Sequence, residues 1–142
     1  MSLYPTKEEI MSQPVQFKKE TTAAISEWKR TRSKIKNQTP WGNDEKFMAL
    51  RLLIDKLNKV YNTNCAIVYQ DTPTPYYSKK SNTITMNSSL SVISTLHEFA
   101  HHLFGPDELK ACRWSIWLFK QSFPKSFDKL TWKEHMLVKE GD

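Results

Sequence analysis

Ser94-Thr95-Leu96-His97-Glu98-Phe99-Ala100-His101-His102-Leu103-Phe104-Gly105-Pro106-Asp107-Glu108 holds three of the chain's four histidines and contains the pattern H-E-x-x-H, His97 to His101. Residues four apart share one side of a helix, so His97 and His101 can present two imidazoles to one ion. With His97 at zero and about 100° per residue, His101 falls near 40° and Glu98 near 100°. Val92, Ile93, Leu96, Phe99, Ala100, Leu103 and Phe104 then fill the arc from roughly 200° to 340°. One helix thus separates a core face from a chemical face. Glu98 stands beside the histidine pair, placed to take a proton from metal-bound water. His102 falls near 140°, outside the pair, and reads as a supporting or surface residue.

A catalytic zinc takes three protein ligands and leaves a position for water. Gly105-Pro106 stops the first helix, and Asp107-Glu108 opens a second apolar segment, Leu109 to Phe123, whose first turn favours acidic side chains. Either carboxylate could complete the ligand set. Glu108 has the better placement, because Glu108, Ala111, Cys112 and Ser115 share one face and the three small residues let the two helices approach closely. Asp107 has an alternative use as the cap of the second helix.

At these residues the chain resembles the zincin metallopeptidases, and among them the gluzincins, in which an H-E-x-x-H helix precedes a helix carrying a glutamate ligand in the setting E-x-x-A. That setting reads Glu108-Leu109-Lys110-Ala111 here. The run Thr83-Ile84-Thr85-Met86-Asn87 ahead of the histidine helix is similar to that of the ImmA/IrrE-type peptidases of bacteria and phages, and SprT-like proteases approach their helix in a similar way. The resemblance spans about residues 64 to 124. It implies His97, His101 and Glu108 as Zn²⁺ ligands, Glu98 as the catalytic glutamate, and a strand at 82–87 bordering the cleft and pairing with an extended substrate. Six residues separate His101 from Glu108, fewer than in most gluzincins. The interval approaches the metzincin H-E-x-x-H-x-x-G-x-x-H, but the glycine comes one place late and no third histidine follows.

H-E-x-x-H also arises in ordinary amphipathic helices. What distinguishes this one is its context: the clean wheel, the glycine stop, the carboxylate opening the next helix and the strand before it.

The rest of the chain supplies scaffold. Its 142 residues, 39% hydrophobic with five tryptophans, make one domain able to bury a modest core. The N-terminal helical part is expected over about 1–61 and the catalytic part over about 62–124. Val15 to Lys36 reads as a helix with a basic cluster at Lys29, Arg30, Arg32, Lys34 and Lys36. With a net charge of +6, that cluster suits DNA, a DNA-associated protein or an acidic partner. Interspersed Glu20 and Glu27, and the fit of lysines to a helix C-terminus, favour a solvated face instead. Asp44 to Tyr61, with Phe47, Leu50, Leu53, Ile54, Leu57 and Tyr61 at three- and four-residue spacing, is a second helix capped by Asn43 or Asp44. Cys65 to Tyr69 and Asn82 to Asn87 read as strands, flanking a proline-broken loop at Asp71 to Pro75. Tyr76 or Tyr77 could donate to an oxyanion, or simply pack as loop aromatics. A final amphipathic stretch, Thr131 to Val138, carries His135, a second candidate donor if the C-terminus folds over the cleft and otherwise a surface histidine.

Cys65 and Cys112 sit singly in apolar segments and read as buried thiols of a reducing compartment. No signal peptide or membrane-length apolar run is visible, so the expected location is the cytoplasm. Three glycines leave little room for a phosphate-cradling loop, which argues against a nucleotide enzyme.

The reading is therefore a small α+β zincin-like domain: N-terminal helices, a short sheet, and the His97 helix packed on the Glu108 helix. Its expected activity is peptide-bond hydrolysis on a protein or peptide substrate. The alternative is a non-catalytic zinc-stabilised module that binds DNA or an acidic protein. The same ligands suit other divalent ions as well.

Overall fold

In the computed structural model, which describes residues 4–133 and 136–139, the first long elements form where apolar side chains recur at helical spacing. Helix α1 is Lys7–Met11, α2 is Lys19–Gln38 and α3 is Asn43–Tyr61. In α3, Ala49, Leu50, Leu53, Ile54 and Leu57 are buried on one stripe, and the helix is entered through Gly42, whose N–H donates to Glu45 Oε1 at 3.3 Å. Helix α2 lies against it, tied by Trp28 Nε1 donating to the Ala49 carbonyl at 2.7 Å and by the Thr21 and Tyr61 hydroxyls at 2.7 Å. It starts at Lys19 rather than Val15, because Val15 and Phe17 pack on the core from the preceding non-helical segment. Helix α1 has no long apolar stripe and was not expected. It is nucleated by a capping box, with Thr6 and Glu9 exchanging side-chain-to-backbone bonds of 3.1 Å.

Strands β1 (Ala66–Tyr69), β2 (Tyr76–Ser78) and β3 (Thr83–Met86) form one sheet in the order β1-β3-β2. The central strand runs parallel to β1, with Ile67 opposite Ile84, and antiparallel to β2, with Tyr77 opposite Ile84. Ile84 and Met86 are fully buried. This arrangement corrects one expectation. Both edges of β3 are already paired, so the 82–87 strand has no main-chain groups left for a substrate. The sheet's edges are β1, which lies by α3, and β2, which the tyrosine pair builds immediately after the proline loop and which lies by α4.

Helix α4 (Val92–Phe104) starts on Ser91, whose hydroxyl accepts from the Ser94 N–H at 3.2 Å. It stops at Gly105, whose φ of +80° few other residues adopt. Helix α5 (Glu108–Ser122) is capped by Asp107, which accepts from the Lys110 N–H at 3.1 Å. Leu96, Phe99 and Ala100 of α4 share one core with Ala111, Trp114 and Leu118 of α5, each large side chain contributing about 1.5–3 kcal/mol by its burial. Helix α6 (Pro124–Asp128) follows, and then β4 (Leu130–Lys133) and β5 (Met136–Lys139) pair as an antiparallel hairpin where the sequence suggested only an amphipathic stretch. Leu137 joins Ile10, Cys112 and Ile116 in a second small core, so both ends of the described chain come to α5. No described helix is long and apolar enough to cross a membrane.

The expected α+β architecture is present: N-terminal helices, short sheets, and the histidine helix packed on the glutamate helix.

Candidate metal centre

The α4–α5 junction brings His97, His101 and Glu108 to one point. Glu108 spans the histidine pair: its Oε1 is 2.8 Å from His97 Nε2 and its Oε2 is 3.2 Å from His101 Nε2. The imidazole centroids are 4.8 Å apart and nearly perpendicular. All three side chains are mostly shielded, with 17–26% exposure. His101 Nδ1 donates to the Gly105 carbonyl at 2.9 Å, which orients the ring and directs Nε2 at the carboxylate. The glycine that ends α4 thus also aims its second histidine.

The donor set fits a divalent ion. Ligand atoms about 2.1 Å from a tetrahedral zinc lie about 3.4 Å from one another. The two histidine–glutamate distances, 2.8 and 3.2 Å, lie near that value, and among the described residues the group whose ligand atoms all lie within 4.8 Å of one another is His97, Glu108 and Cys112. Two imidazoles and one carboxylate are borderline nitrogen and oxygen donors, suited to zinc and its neighbours rather than to calcium or magnesium.

Without a metal the three groups satisfy each other electrically. Hydrogen bonds from His101 and His97 hold the Glu108 carboxyl well below the usual carboxylate range. The bond to Glu108 raises His101 to about 9, against the opposing effect of burial. Glu98 responds differently. Burial raises its pKa, and it stays raised although His97, His101 and a bond from the Tyr77 backbone N–H pull the other way. A carboxylate tuned upward beside a metal-ligand set has the property wanted of a general base.

His97, Glu98, Glu108 and Cys112 line one side of a cleft of about 290 Å³, with Ile93 and Ile116 behind them and Leu137 and Met136 of the hairpin across it. Cys112 went unrecognised as part of the site. It lies one helical turn after Glu108, and its thiol is 3.5 Å from Glu108 Oε1 and 4.0 Å from His97 Nδ1. Burial, and then the Glu108 charge, push that thiol upward. The i, i+4 spacing from Glu108 was the available signal.

The other candidates fall elsewhere. Asp107 spends its carboxylate on the α5 cap. His102 points toward β2, with its Nδ1 3.2 Å from the Tyr77 hydroxyl and its ring against Phe99. The Tyr77 hydroxyl in turn donates to Asn82 at 2.8 Å, and neither it nor the 45%-exposed Tyr76 lines the cleft. The Tyr77 main chain bears on the site only by slightly opposing the upward shift of Glu98. His135 lies outside the described residues. The basic cluster of α2 is less solvated than it reads: Lys29 donates to the Ser122 carbonyl, and the Arg32 guanidinium packs on Trp28 and Phe123.

Comparisons with family profiles, with curated proteins and with solved structures gave no match to this chain.

Proposed function

We propose that the chain is a zinc metallopeptidase of the zincin type, hydrolysing peptide bonds in the cleft between α4, α5 and the C-terminal hairpin. The observation that carries this reading is that Glu108 meets both His97 and His101, while His97, Glu108 and the upward-tuned Glu98 line one cleft. His97, His101 and Glu108 hold the ion, which when bound supplies a Lewis acid for the scissile carbonyl and for the attacking water. Glu98 takes the water proton on its carboxylate and delivers it to the leaving amine. The edge strand β2 offers main-chain groups to an extended peptide, and the apolar wall of Ile93, Ile116 and Leu137 excludes water around it.

Elemental analysis and peptide cleavage together test the proposal. Wild type, Glu98→Gln and Asp107→Ala should retain about one zinc per chain, and His97→Ala and Glu108→Ala should lose it. Glu98→Gln should abolish cleavage, a loss of at least about 10²-fold, with the fold and metal unchanged. A wild-type chain that takes up no zinc when supplied with it overturns the reading. A chain that holds zinc yet is indifferent to Glu98→Gln in whatever it binds is the interaction module instead.

A further inference from the structure

The cleft does not end at the metal ligands. A second cavity of about 430 Å³ shares Ile93, Ser94, Met136 and Leu137 with it, and a third of about 180 Å³ shares Arg32, Ser89 and Val92 with the second. The three form one groove along the first turns of α4. Its near part is apolar, with Phe119, Phe123 and Leu130 on the wall. Its far part is cationic, with Arg32 and Lys36 from α2 and Lys46 from α3 around the third cavity.

Arg32 is the built feature of that far part. Its guanidinium carbon lies 4.9 Å from the Trp28 ring centroid and 5.4 Å from that of Phe123, so two aromatic rings hold the group. Its Nε is buried without a hydrogen-bond partner, and no acidic side chain lines either cavity among the described residues. Burial pulls its pKa below the ordinary arginine value, which registers an uncompensated charge. A rigid, partly desolvated guanidinium facing a groove is suited to a planar oxyanion.

We infer that Arg32, backed by Lys36 and Lys46, is a specificity subsite for a carboxylate of the peptide substrate, at the far end of the groove that begins at His97 and Glu98. The inference rests on the peptidase reading. From Val92 to His97 the helix rises about 7.5 Å, and an extended chain advances about 3.3 Å per residue. The carboxylate therefore sits roughly two or more residues from the cleaved bond. It belongs either to an Asp or Glu side chain or to the peptide's own C-terminus. A peptide fits better than a nucleic-acid backbone because the guanidinium also lines the apolar cavity, beside Phe119, Phe123 and Leu130.

Retention of synthetic decapeptides by the zinc-loaded full chain carrying Glu98→Gln tests this without turnover. The peptides carry Asp or Glu, or their amide isosteres, at each position in turn, and each is made with a free and an amidated C-terminus. Acidic peptides should be retained on the order of tenfold better than their isosteres at one position. Arg32→Gln on the same background should remove that preference, and Lys36→Gln with Lys46→Gln should weaken it. Preference that survives amidation assigns the group to a side chain, and preference lost on amidation assigns it to the terminus. Because Arg32→Gln removes packing on two rings, inorganic phosphate provides a second arm: on the parent it should release the acidic peptides selectively, relative to chloride of equal ionic strength. The inference is overturned by equal or no retention of acidic peptides, by a preference that survives Arg32→Gln or phosphate, or by duplex DNA, in place of peptide, binding through these three cations. Absence of cleavage by the wild-type chain removes the peptidase reading alone, since retention is read separately.

Discussion

Gly105 does two jobs with one backbone conformation. At φ +80° and ψ −155° it ends α4 in a region open essentially to glycine, and its carbonyl accepts from His101 Nδ1. A Cβ added there would meet nothing within 4 Å, so the cost of Gly105→Ala is backbone strain and not a clash. Urea unfolding of the metal-free protein should show a loss of about 1–3 kcal/mol. Relaxing that strain moves the carbonyl away from His101, so competition against a chelating dye should show zinc affinity falling by about 10- to 100-fold. A variant that loses stability but binds zinc as tightly as the parent would show that the carbonyl does not orient the ligand. Cys65 makes a separate prediction. Burial pushes its thiol up to about 12, so a thiol reagent at pH 8 should leave it unlabelled in the native protein and label it within minutes in denaturant.

Helices α3, α4 and α5 were legible because each buries one stripe whose period is written in consecutive residues, and the meeting of Glu108 with His97 and His101 was legible because the three lie along two adjacent helices. Strand β2 was not, since Tyr76-Tyr77-Ser78 is too short to show alternation and becomes a strand only by pairing with β3. The exposure of Arg32 to the groove was equally hidden, because Trp28 and Phe123 come together on it from distant parts of the chain. The joint between α3 and β1 is another case. There Asn58 donates to the Cys65 carbonyl at 2.9 Å and accepts from the Cys65 N–H at 3.0 Å and the Thr63 hydroxyl at 2.8 Å. Asn62 closes the helix in the left-handed region at φ 55°. One amide replaces the bonds that a regular element would have made, so Asn58→Ala leaves the Cys65 main chain without its partners. Chemical denaturation should register a loss of about 1–3 kcal/mol. Zinc stoichiometry should not change, because the joint lies on the far side of the sheet order from β2, and a variant that loses zinc as well would tie the joint to the metal centre.

The N-terminal segment, the sheet and the C-terminal hairpin all terminate on the α4–α5 pair, so the electrical state of that pair reaches the stability of the whole chain. In the metal-free protein, His101 titrates at about 9 instead of near 6.5 because of Glu108. Its favourable contribution is therefore complete below about pH 6.5 and is lost as pH rises through 9. Glu108 is lowered by the same contacts; its contribution is present above its unfolded value near 4.5 and is lost as pH falls below that. Glu98 is raised by burial, so its ionisation costs stability as pH rises from its unfolded value near 4.5. Thermal melts in chelator should then be highest between about pH 5 and 6.5 and fall steadily toward pH 9.5. Zinc reverses the trend, because it competes with protons for both imidazoles. At about 100 times its dissociation constant it should add about 2.7 kcal/mol, and at fixed total zinc that increment should grow from pH 6 to pH 8. Identical chelated melts at pH 6 and pH 9 would mean that Glu108 does not bridge the histidines in solution. A zinc increment independent of pH would place the ion on groups other than these imidazoles.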